Sequence, residues 1–435
     1  MVSANPMVQA FPFYISYTFS MPNNNLSHLC VNYARLKERL FDLASIGEIP
    51  GGGCARLALT DEDKFGRDLV VQWMHELNLD VSIDVVGNVV GVWNVGHGQP
   101  VMTGSHIDTV RTGGKFDGNL GVLAGLEVIQ TCQENGVAPT RPLAVAFFTN
   151  EEGARFAPDM FGSLVFVGGW SVEEALDTVG IDGARVADEL ERIGYNGAMP
   201  CPAQAPHAFI ELHIEQGPVL EQQGFTIGAV TGVQGISWQE VVVAGQSNHA
   251  GTTPMNLRHD PAYVASAIAV FLRELAKRYG GHQVCTVGKI DLHPNLINVV
   301  PATATLTLDV RNTDEVLLQK AETEISDYLK QLAIDEGVTI TTRQLARFEP
   351  VEFDDRVVSL VEELAISAGH SVMRLPSGAG HDAQMLARVC PTAMIFVPSI
   401  NGISHNPAES TSDADLDAGA NLLLHAMLHL TTLEF

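Results

Sequence analysis

Hydrophobic and polar positions follow two different rhythms along this chain. In the first 228 residues and again after residue 344, short apolar runs alternate with helical segments. One of these segments, 61–78, is amphipathic, and another is predicted to be buried and capped by Asn119. Strands are predicted at 82–93, 100–110, 143–149, 209–214 and 392–397, and the last three are continuously apolar, as strands covered on both faces are. Strands that alternate with helices indicate an α/β fold, with a mostly parallel sheet and helices on both faces.

The middle of the chain has the order β-α-β-β-α-β. The predicted strands are 238–245, 283–290, 304–311 and 338–343, and the predicted helices are 261–279 and 314–337. This order is the ferredoxin-like pattern of a small α+β unit. We therefore predict a catalytic domain built from residues 21–228 and 345–435, an inserted domain at 229–344, and a loosely ordered N-terminal extension at 1–20.

Charge and cysteine content limit the choice of partners. Lys and Arg number 25 against 51 Asp and Glu, which gives a net charge of −26. Such an acidic chain lacks the basic footprint needed for nucleic acid or for an anionic membrane surface. Its six cysteines contain no CxxC pair, which favours a reducing, cytoplasmic location. No apolar run reaches the roughly 18 residues of a membrane-spanning helix.

Histidines and acids follow the predicted strands. Taken singly, each is more often a structural hydrogen bonder, a turn residue or part of a solvated surface. Their accumulation at several strand ends is informative, because α/β sheets bind ligands beyond the carboxyl ends of their strands. The residues concerned are His106, Asp108, Asp117, Glu151, Glu152, His213 and His405.

Imidazoles and carboxylates without thiolates suit Zn, Mn, Co or Ni. Three histidines and two acids would satisfy two ions if one carboxylate bridged them, which leaves over one member of the pair Glu151 and Glu152. Neighbouring residues at a strand end point to opposite sides, so one glutamate can bind metal while the other acts as a general base toward water. The sequence pattern alone does not assign the two roles.

A set of motifs runs through the chain from about residue 30 to 430. They are GSHIDTV, GGKFDGNLGVLAG, TNEEGARF, ELHIEQGPVLE, GQSNHAGTTPM, NVVPATATLTLDVRN, SGAGHDA and GISHNPAE. In order and spacing this set resembles the amidase, hydantoinase/carbamoylase branch of the M20 metallopeptidase superfamily.

The resemblance implies two divalent metal ions per subunit. His106 and His213 would hold one ion, Glu152 and His405 the other, and Asp117 would bridge them. Glu151 would be the general base, and Asp108 would hydrogen-bond the ring of His106 and fix its tautomer.

The same resemblance implies a set of residues that bind substrate. Gln216 would face the ureido group or its metal, and Asn298 with Arg311 would grip the substrate carboxylate. Gly378 and Gly380 would bring backbone N–H groups to that end of the substrate. His249 would stabilise the oxyanion, reaching across a homodimer interface formed by the inserted domain. We expect the apolar strands 238–245 and 304–311 to lie at edges of its sheet and to be paired there.

The implied activity is metal-dependent hydrolysis of the ureido C–N bond of N-carbamoyl-L-amino acids. The products would be the amino acid, ammonia and carbon dioxide. Allantoate or 3-ureidopropionate are alternative small ureido acids. A dipeptidase of the wider superfamily is a further alternative. A metal-binding module that has lost catalysis is disfavoured, because all five expected ligands and Glu151 are present.

Overall fold

The computed structural model describes residues 28–435, so the predicted extension at 1–20 lies outside the described residues. The strands are β1 (Glu48–Ile49), β2 (Gly53–Cys54), β3 (Asp80–Ile83), β4 (Val89–Trp93), β5 (Val101–His106), β6 (Leu143–Phe148), β7 (Ala208–Ile214), β8 (Ile227–Val233), β9 (Gly235–Ala244), β10 (Asn248–His249), β11 (Val284–His293), β12 (Val299–Val300), β13 (Thr303–Asn312), β14 (Thr339–Phe348), β15 (Val351–Glu352), β16 (Val372–Ser377) and β17 (Thr392–Val397).

The helices are α1 (Tyr33–Ser45), α2 (Asp61–Glu76), α3 (Asn119–Glu134), α4 (Phe161–Phe166), α5 (Val172–Leu176), α6 (Val186–Ile193), α7 (Val219–Gln223), α8 (Pro261–Tyr279), α9 (Glu315–Glu336), α10 (Asp355–Ser367), α11 (Asp382–Leu386) and α12 (Asp413–Leu430), with short 3₁₀ turns at Met255–Leu257 and Ile400–Gly402. Within residues 28–435, none of these helices is long and apolar enough to cross a membrane.

A nine-stranded sheet forms the larger part of the molecule. Its order is β15-β8-β17-β7-β5-β6-β4-β3, with β16 paired to β8. The four central strands β17, β7, β5 and β6 are parallel to one another, and every residue in them is buried. Both faces of these strands are therefore covered, as their continuous apolar sequences predict. The α/β fold class is confirmed.

Helix α3 begins one residue away from the predicted cap. Gly118, at φ 67°, occupies the N-cap position, and no side chain caps the helix there. The prediction that Asn119 is the cap is wrong. Its side-chain oxygen instead accepts a hydrogen bond from the buried guanidinium of Arg56, 2.9 Å away. Position 118 requires a left-handed backbone, which glycine adopts without steric cost.

The inserted unit has the predicted ferredoxin-like arrangement. Its sheet is antiparallel with the order β11-β13-β9-β14, and helices α8 and α9 cover a second hydrophobic core separate from the first. The edge strands are β11 and β14, so the expectation that strands 238–245 and 304–311 lie at edges is wrong. Those segments are β9 and β13, the central pair, and their alternating burial explains their apolar sequences.

The chain crosses between the two sheets later than predicted. Strand β8 continues into β9 with only Gln234 between them, and β14 continues into β15 through Glu349 and Pro350. The two crossings pair with each other, since β9 pairs with β14 and β8 with β15. The predicted boundaries at 228 and 345 therefore fall inside β8 and β14.

Candidate active site

The predicted metal ligands gather at one edge of the central sheet. His106 is the last residue of β5, His213 the penultimate residue of β7, and Glu151 and Glu152 follow β6. Because these strands are parallel neighbours, their carboxyl ends meet at the same edge. The fourth parallel strand, β17, leads into the loop that carries His405.

Three imidazoles converge on the Asp117 carboxylate. Nε2 of His106 lies 3.7 Å and Nε2 of His213 lies 3.2 Å from its Oδ1 atom, whereas Nε2 of His405 lies 3.4 Å from Oδ2. Each carboxylate oxygen thus faces a different side of the site. This is the disposition of a carboxylate that bridges two cations.

The hydrogen bonds of the His106 and His213 rings indicate that a cation belongs between the imidazoles and the Asp117 carboxylate. Nδ1 of His106 contacts the backbone carbonyl of Asp108 at 2.8 Å, and Nδ1 of His213 contacts that of Ile214 at 2.8 Å. A carbonyl only accepts, so Nδ1 carries the proton and Nε2 of each neutral ring presents a lone pair. Nε2 of His213 accepts the backbone N–H of Gly118 at 3.2 Å. Nε2 of His106 instead directs its lone pair at the carboxylates of Asp117 and Glu151, which is repulsive unless a proton or a metal ion lies between them. The residues present therefore fit divalent metal ions.

The charges around the histidines also favour bound cations. Burial alone would favour the neutral form of His106, but the carboxylates of Glu151 and Asp117 outweigh it and raise the pKa of the ring well above its ordinary value. Contacts with Asp117 and Glu152 raise the pKa of His405 to about 10. Positive charge is strongly favoured at both places, whether a proton or a metal ion supplies it.

The neighbouring glutamates face opposite sides of the site. Oε2 of Glu151 lies 3.3 Å from Nε2 of His106, and Oε2 of Glu152 lies 3.2 Å from Nε2 of His405. Ligand atoms close enough to share an ion are found in the group His106, Asp117 and His213 and in the group Asp117, Glu152 and His405. Glu151 belongs to neither group, although it is buried and lines the same cavity.

A third group of possible ligands is already hydrogen-bonded within the protein. It consists of Glu211, His213 and His381. The Glu211 carboxylate accepts bonds from the Ser105 hydroxyl at 2.6 Å and from the backbone N–H of Ala383 at 2.9 Å. Nε2 of His381 lies 2.9 Å from the Ser377 hydroxyl. These partners leave the first two groups as the better metal sites.

Asp108 acts differently from the expectation. Its backbone carbonyl, not its carboxylate, fixes the tautomer of His106. The carboxylate instead accepts the backbone N–H groups of Glu151 and Glu152, at 3.2 and 3.4 Å. Asp108 therefore orients both the ring of His106 and the loop that carries the two glutamates.

Asp117 is held by residues that the motifs did not single out. Oε1 of Glu409 accepts the backbone N–H groups of Phe116 and Asp117 at 3.1 and 3.2 Å, and its Oε2 accepts the Ser404 hydroxyl at 3.0 Å. Burial, with the nearby charge of Asp117, raises the pKa of Glu409 to about 7. The only sequence signal for this role is that Glu409 belongs to the motif GISHNPAE.

Gln216 lines the cavity and also contacts the Asp117 carboxylate. Its Nε2 donates a 2.9 Å hydrogen bond to Oδ2 of Asp117, and its Oε1 is buried without a partner among the described residues. Gln216 and His405 both have left-handed backbones, with φ of 57° and 51°. Such conformations cost a non-glycine residue about 1 kcal/mol or more and are found preferentially at functional sites.

Arg311, on strand β13 of the inserted unit, lines the same cavity. This cavity, of about 220 Å³, is also lined by Trp238 and Gly380. The guanidinium pairs with Asp309 through bonds of 2.9 to 3.2 Å and donates a 2.7 Å bond to the carbonyl oxygen of Gly378. The carbonyl contact of Gly378 was not predicted, and Gly378 is not part of the cavity lining, whereas Gly380 is.

His249 and Asn298 are not brought to this cavity. Neither residue is part of its lining, and both are exposed. His249 pairs with Val299 in the ribbon formed by β10 and β12. Asn298 directly precedes β12, and its carbonyl oxygen accepts the backbone N–H of Ala250 at 2.9 Å. The backbone N–H groups of Gly251 and Thr252 donate to Nδ1 of His249 at 3.0 and 3.3 Å, so the neutral ring carries its proton on Nε2 and can donate from there.

Comparison with known proteins agrees with this geometry. Residues 102–429 match the family described as Peptidase family M20/M25/M40, and the chain belongs to this family. The resemblance drawn from the motifs is confirmed.

Relatives with known names fall in the amidohydrolase part of the family. The N-carbamoyl-L-amino acid amidohydrolase of Geobacillus stearothermophilus is 39% identical over 402 residues, which cover 91% of this chain and 98% of that enzyme. The allantoate amidohydrolase of Escherichia coli K12 is 38% identical over 89% of this chain and 95% of its own. An amidase of the hydantoinase/carbamoylase family from Burkholderia multivorans superposes with a TM-score of 0.91 at 43% identity, covering 94% of this chain and all of that one.

Proposed function

We propose that this protein hydrolyses the ureido C–N bond of N-carbamoyl-L-amino acids. The observation that carries the proposal is that one small cavity is lined both by Asp117, Glu151, Glu152 and His405 and by Arg311 of the inserted unit. We infer that these two groups of residues bind the two ends of a substrate. A ureido acid has a hydrolysable carbonyl and a carboxylate a few bonds apart, and so matches both ends. At about 220 Å³ the cavity is below the roughly 300–1,000 Å³ of typical ligand pockets, which favours a small acid over a dipeptide.

At the metal end, the chain's own residues would bind ions and move a proton. His106, His213 and Asp117 would hold one divalent ion, and Asp117, Glu152 and His405 a second. Such ions would lower the pKa of water and polarise the ureido carbonyl. Glu151 takes a proton from the attacking water as the C–O bond forms and gives it to the leaving nitrogen as the C–N bond breaks. The carbamate that remains then loses carbon dioxide, which frees the second nitrogen, so that the products are the amino acid, ammonia and carbon dioxide. Burial raises the pKa of Glu151 well above its usual value, which suits a residue that must both accept and release a proton.

At the other end, Arg311 would exchange a protein partner for the substrate carboxylate. Its bond to the Gly378 carbonyl is the one a carboxylate most easily replaces, because a charged acceptor binds guanidinium more strongly than a neutral one. The buried, unpartnered Oε1 of Gln216 supplies an acceptor for an N–H group of the ureido moiety.

The full site would require a second subunit. The backbone hydrogen bond between Ala250 and Asn298 holds His249 and Asn298 close together, so we infer that both residues, and not His249 alone, enter the partner's active site. The exposed apolar residues Met255, Leu257 and Ile297 surround the β10–β12 ribbon and would be covered in a homodimer. In such an assembly, Nε2–H of His249 would donate to the oxyanion and Asn298 would bind the carboxylate, both in the partner's site.

Ammonia release from a substrate panel tests the proposed function. The protein is treated with a chelator, and Zn, Mn, Co or Ni is restored separately. N-carbamoyl-L-amino acids, allantoate, 3-ureidopropionate and dipeptides are then compared by kcat/KM. We expect no turnover without metal, restoration by at least one ion, and higher kcat/KM for a carbamoyl amino acid than for 3-ureidopropionate or a dipeptide. Full activity in metal-free protein, or turnover of dipeptides alone, would overturn the proposal.

A further inference from the structure

The cavity contains an acid that the proposed reaction does not use. Asp159 lines it together with the metal ligands, Trp238 and Arg311. It follows the loop of Glu151 and Glu152, and its backbone packs against Gly153, where an added Cβ would lie 2.8 Å from the Asp159 nitrogen. Asp159 is therefore fixed in place by the same loop that supplies the two glutamates.

The Asp159 carboxylate is available to a ligand. Within residues 28–435 it makes no hydrogen bond or ion pair with another side chain, and only its own backbone N–H supports it. Burial raises the pKa of this carboxyl, while that backbone N–H and the charge of Arg311 oppose the shift. Arg311 does not neutralise it by direct contact, since its guanidinium is paired with Asp309 and Gly378.

The position of Asp159 corresponds to one part of the substrate. Asp159 lines the same cavity as Glu152, which we assign to the metal end, and as Arg311. In the proposed function, on which this inference rests, the ureido group occupies the metal end and the carboxylate occupies the Arg311 end. With those two groups assigned, the substituent on the carbon atom that carries both is the part of the substrate left to contact Asp159.

We propose that Asp159 selects ureido acids whose α-substituent carries N–H donors. A carboxylate at this place would be desolvated without compensation by an alkyl side chain, whereas an ammonium, amide or second ureido group would pair with it. Two kinds of substrate share this chemistry. One is an N-carbamoyl derivative of a basic amino acid, and the other is allantoate, whose α-carbon bears a second ureido group.

Matched substrate pairs test this selectivity. N-carbamoyl-L-ornithine is compared with the norvaline derivative and N-carbamoyl-L-lysine with the norleucine derivative, because the members of each pair differ only in a terminal ammonium. Allantoate is compared with N-carbamoyl-L-leucine, in which an isobutyl group replaces the second ureido group. We expect the donor-bearing member to have a kcat/KM roughly tenfold or more higher in at least one pair. Which pair shows the preference identifies the kind of donor.

The variants Asp159→Asn and Asp159→Ala assign the preference to this residue. For a cationic substrate both should remove most of the advantage, whereas for allantoate Asp159→Ala should remove more than Asp159→Asn, whose amide oxygen can still accept. Asp188→Asn on the surface of α6 removes the same charge outside the cavity and should change no ratio. Affinities of the same pairs for Glu151→Gln protein, measured by calorimetry, should show the preference without turnover.

Two results would overturn the inference. One is an alkyl preference in all three pairs, and the other is an unchanged ratio in both Asp159 variants that retain their metal content and melting temperature. Either result with clear turnover of carbamoyl amino acids would leave the proposed hydrolase intact. Absence of ammonia release from every member of the panel would reject the proposed function itself, and this inference with it.

Discussion

The side-chain amide of Gln216 donates a 2.9 Å hydrogen bond to Oδ2 of Asp117, the oxygen that also faces His405. The opposite atom of the same amide, Oε1, is buried and has no partner among the described residues. Because Asp117 only accepts hydrogen bonds when ionised, the amide orientation is determined by this contact. Gln216 thus supports the bridging carboxylate with one atom and offers an acceptor to a ligand with the other.

Gln216→Leu should lower kcat/KM roughly tenfold to a hundredfold, because it removes both contacts at nearly constant size. Metal content should fall less than activity, since the three histidines still surround Asp117. Kinetics and metal analysis of the purified variant measure the two effects. Gln222→Leu, on the exposed surface of α7, is the matched control and should retain activity. Wild-type activity in Gln216→Leu would show that neither contact is needed.

The two neighbouring glutamates should separate metal binding from proton transfer. Glu151→Gln should keep its metal and lose about 10²–10⁴-fold in turnover, the usual contribution of a general base. Glu152→Gln should lose metal, with activity partly restored by excess ion. Metal content and single-turnover rates of both variants provide the test. The reverse result, in which only Glu151→Gln loses metal, would mean that the two roles are exchanged.

Alanine at position 118 should displace the ring of His106, in addition to straining the backbone. A Cβ at Gly118 would lie 2.5 Å from atoms of that ring, so Gly118→Ala must displace a proposed ligand. We expect metal affinity to fall by roughly tenfold or more, measured by competition with a chelating dye. Gly136→Ala is the control, because Gly136 has nearly the same φ, 66° against 67°, but no atom within 4 Å of the added Cβ. If Gly118→Ala and Gly136→Ala have equal metal affinities, backbone strain alone explains the effect of Gly118→Ala.

Much of the site was predictable because its residues follow the strands in sequence. The apolar runs 143–149, 209–214 and 392–397 are recognisable as buried strands, and parallel strands bring their carboxyl ends to one edge. The supporting contacts depend on tertiary structure instead. Glu409 reaches the backbone of Asp117 from 292 residues away, and no local pattern indicates this. The sequence also does not distinguish the carbonyl of Asp108 from its carboxylate as the partner of His106.

The errors in the inserted unit have a similar physical origin. An apolar strand was taken as an edge that needs a partner, although β9 and β13 are apolar because they lie at the centre of their sheet. The boundary after residue 228 was misplaced because β8 runs into β9 with a single residue between them. Gly228, Gly232 and Gly235 surround that crossing, but all three belong to strands β8 and β9 rather than to a loop, so they do not mark a linker. Pro350 marks the return crossing, a few residues beyond the predicted position.

The last prediction concerns the source of His249 and Asn298. Because His249 lies on the β10–β12 ribbon and Asn298 directly precedes β12, a mixed dimer of Glu151→Gln and His249→Ala chains should recover activity if the ribbon acts in the partner's site. One of its two sites would then combine an intact Glu151 with an intact His249. We therefore expect each mixed dimer to have up to about half of the activity of a wild-type dimer after subunit exchange. Asn298→Ala should complement Glu151→Gln in the same way. It should not complement His249→Ala, since those two substitutions would leave each site without one residue of the ribbon. Recovery in the first two mixtures and not in the third supports a shared site. If demonstrated heterodimers of Glu151→Gln with either ribbon variant stay inactive, the ribbon either serves its own chain through closure of the two sheets or has no part in catalysis.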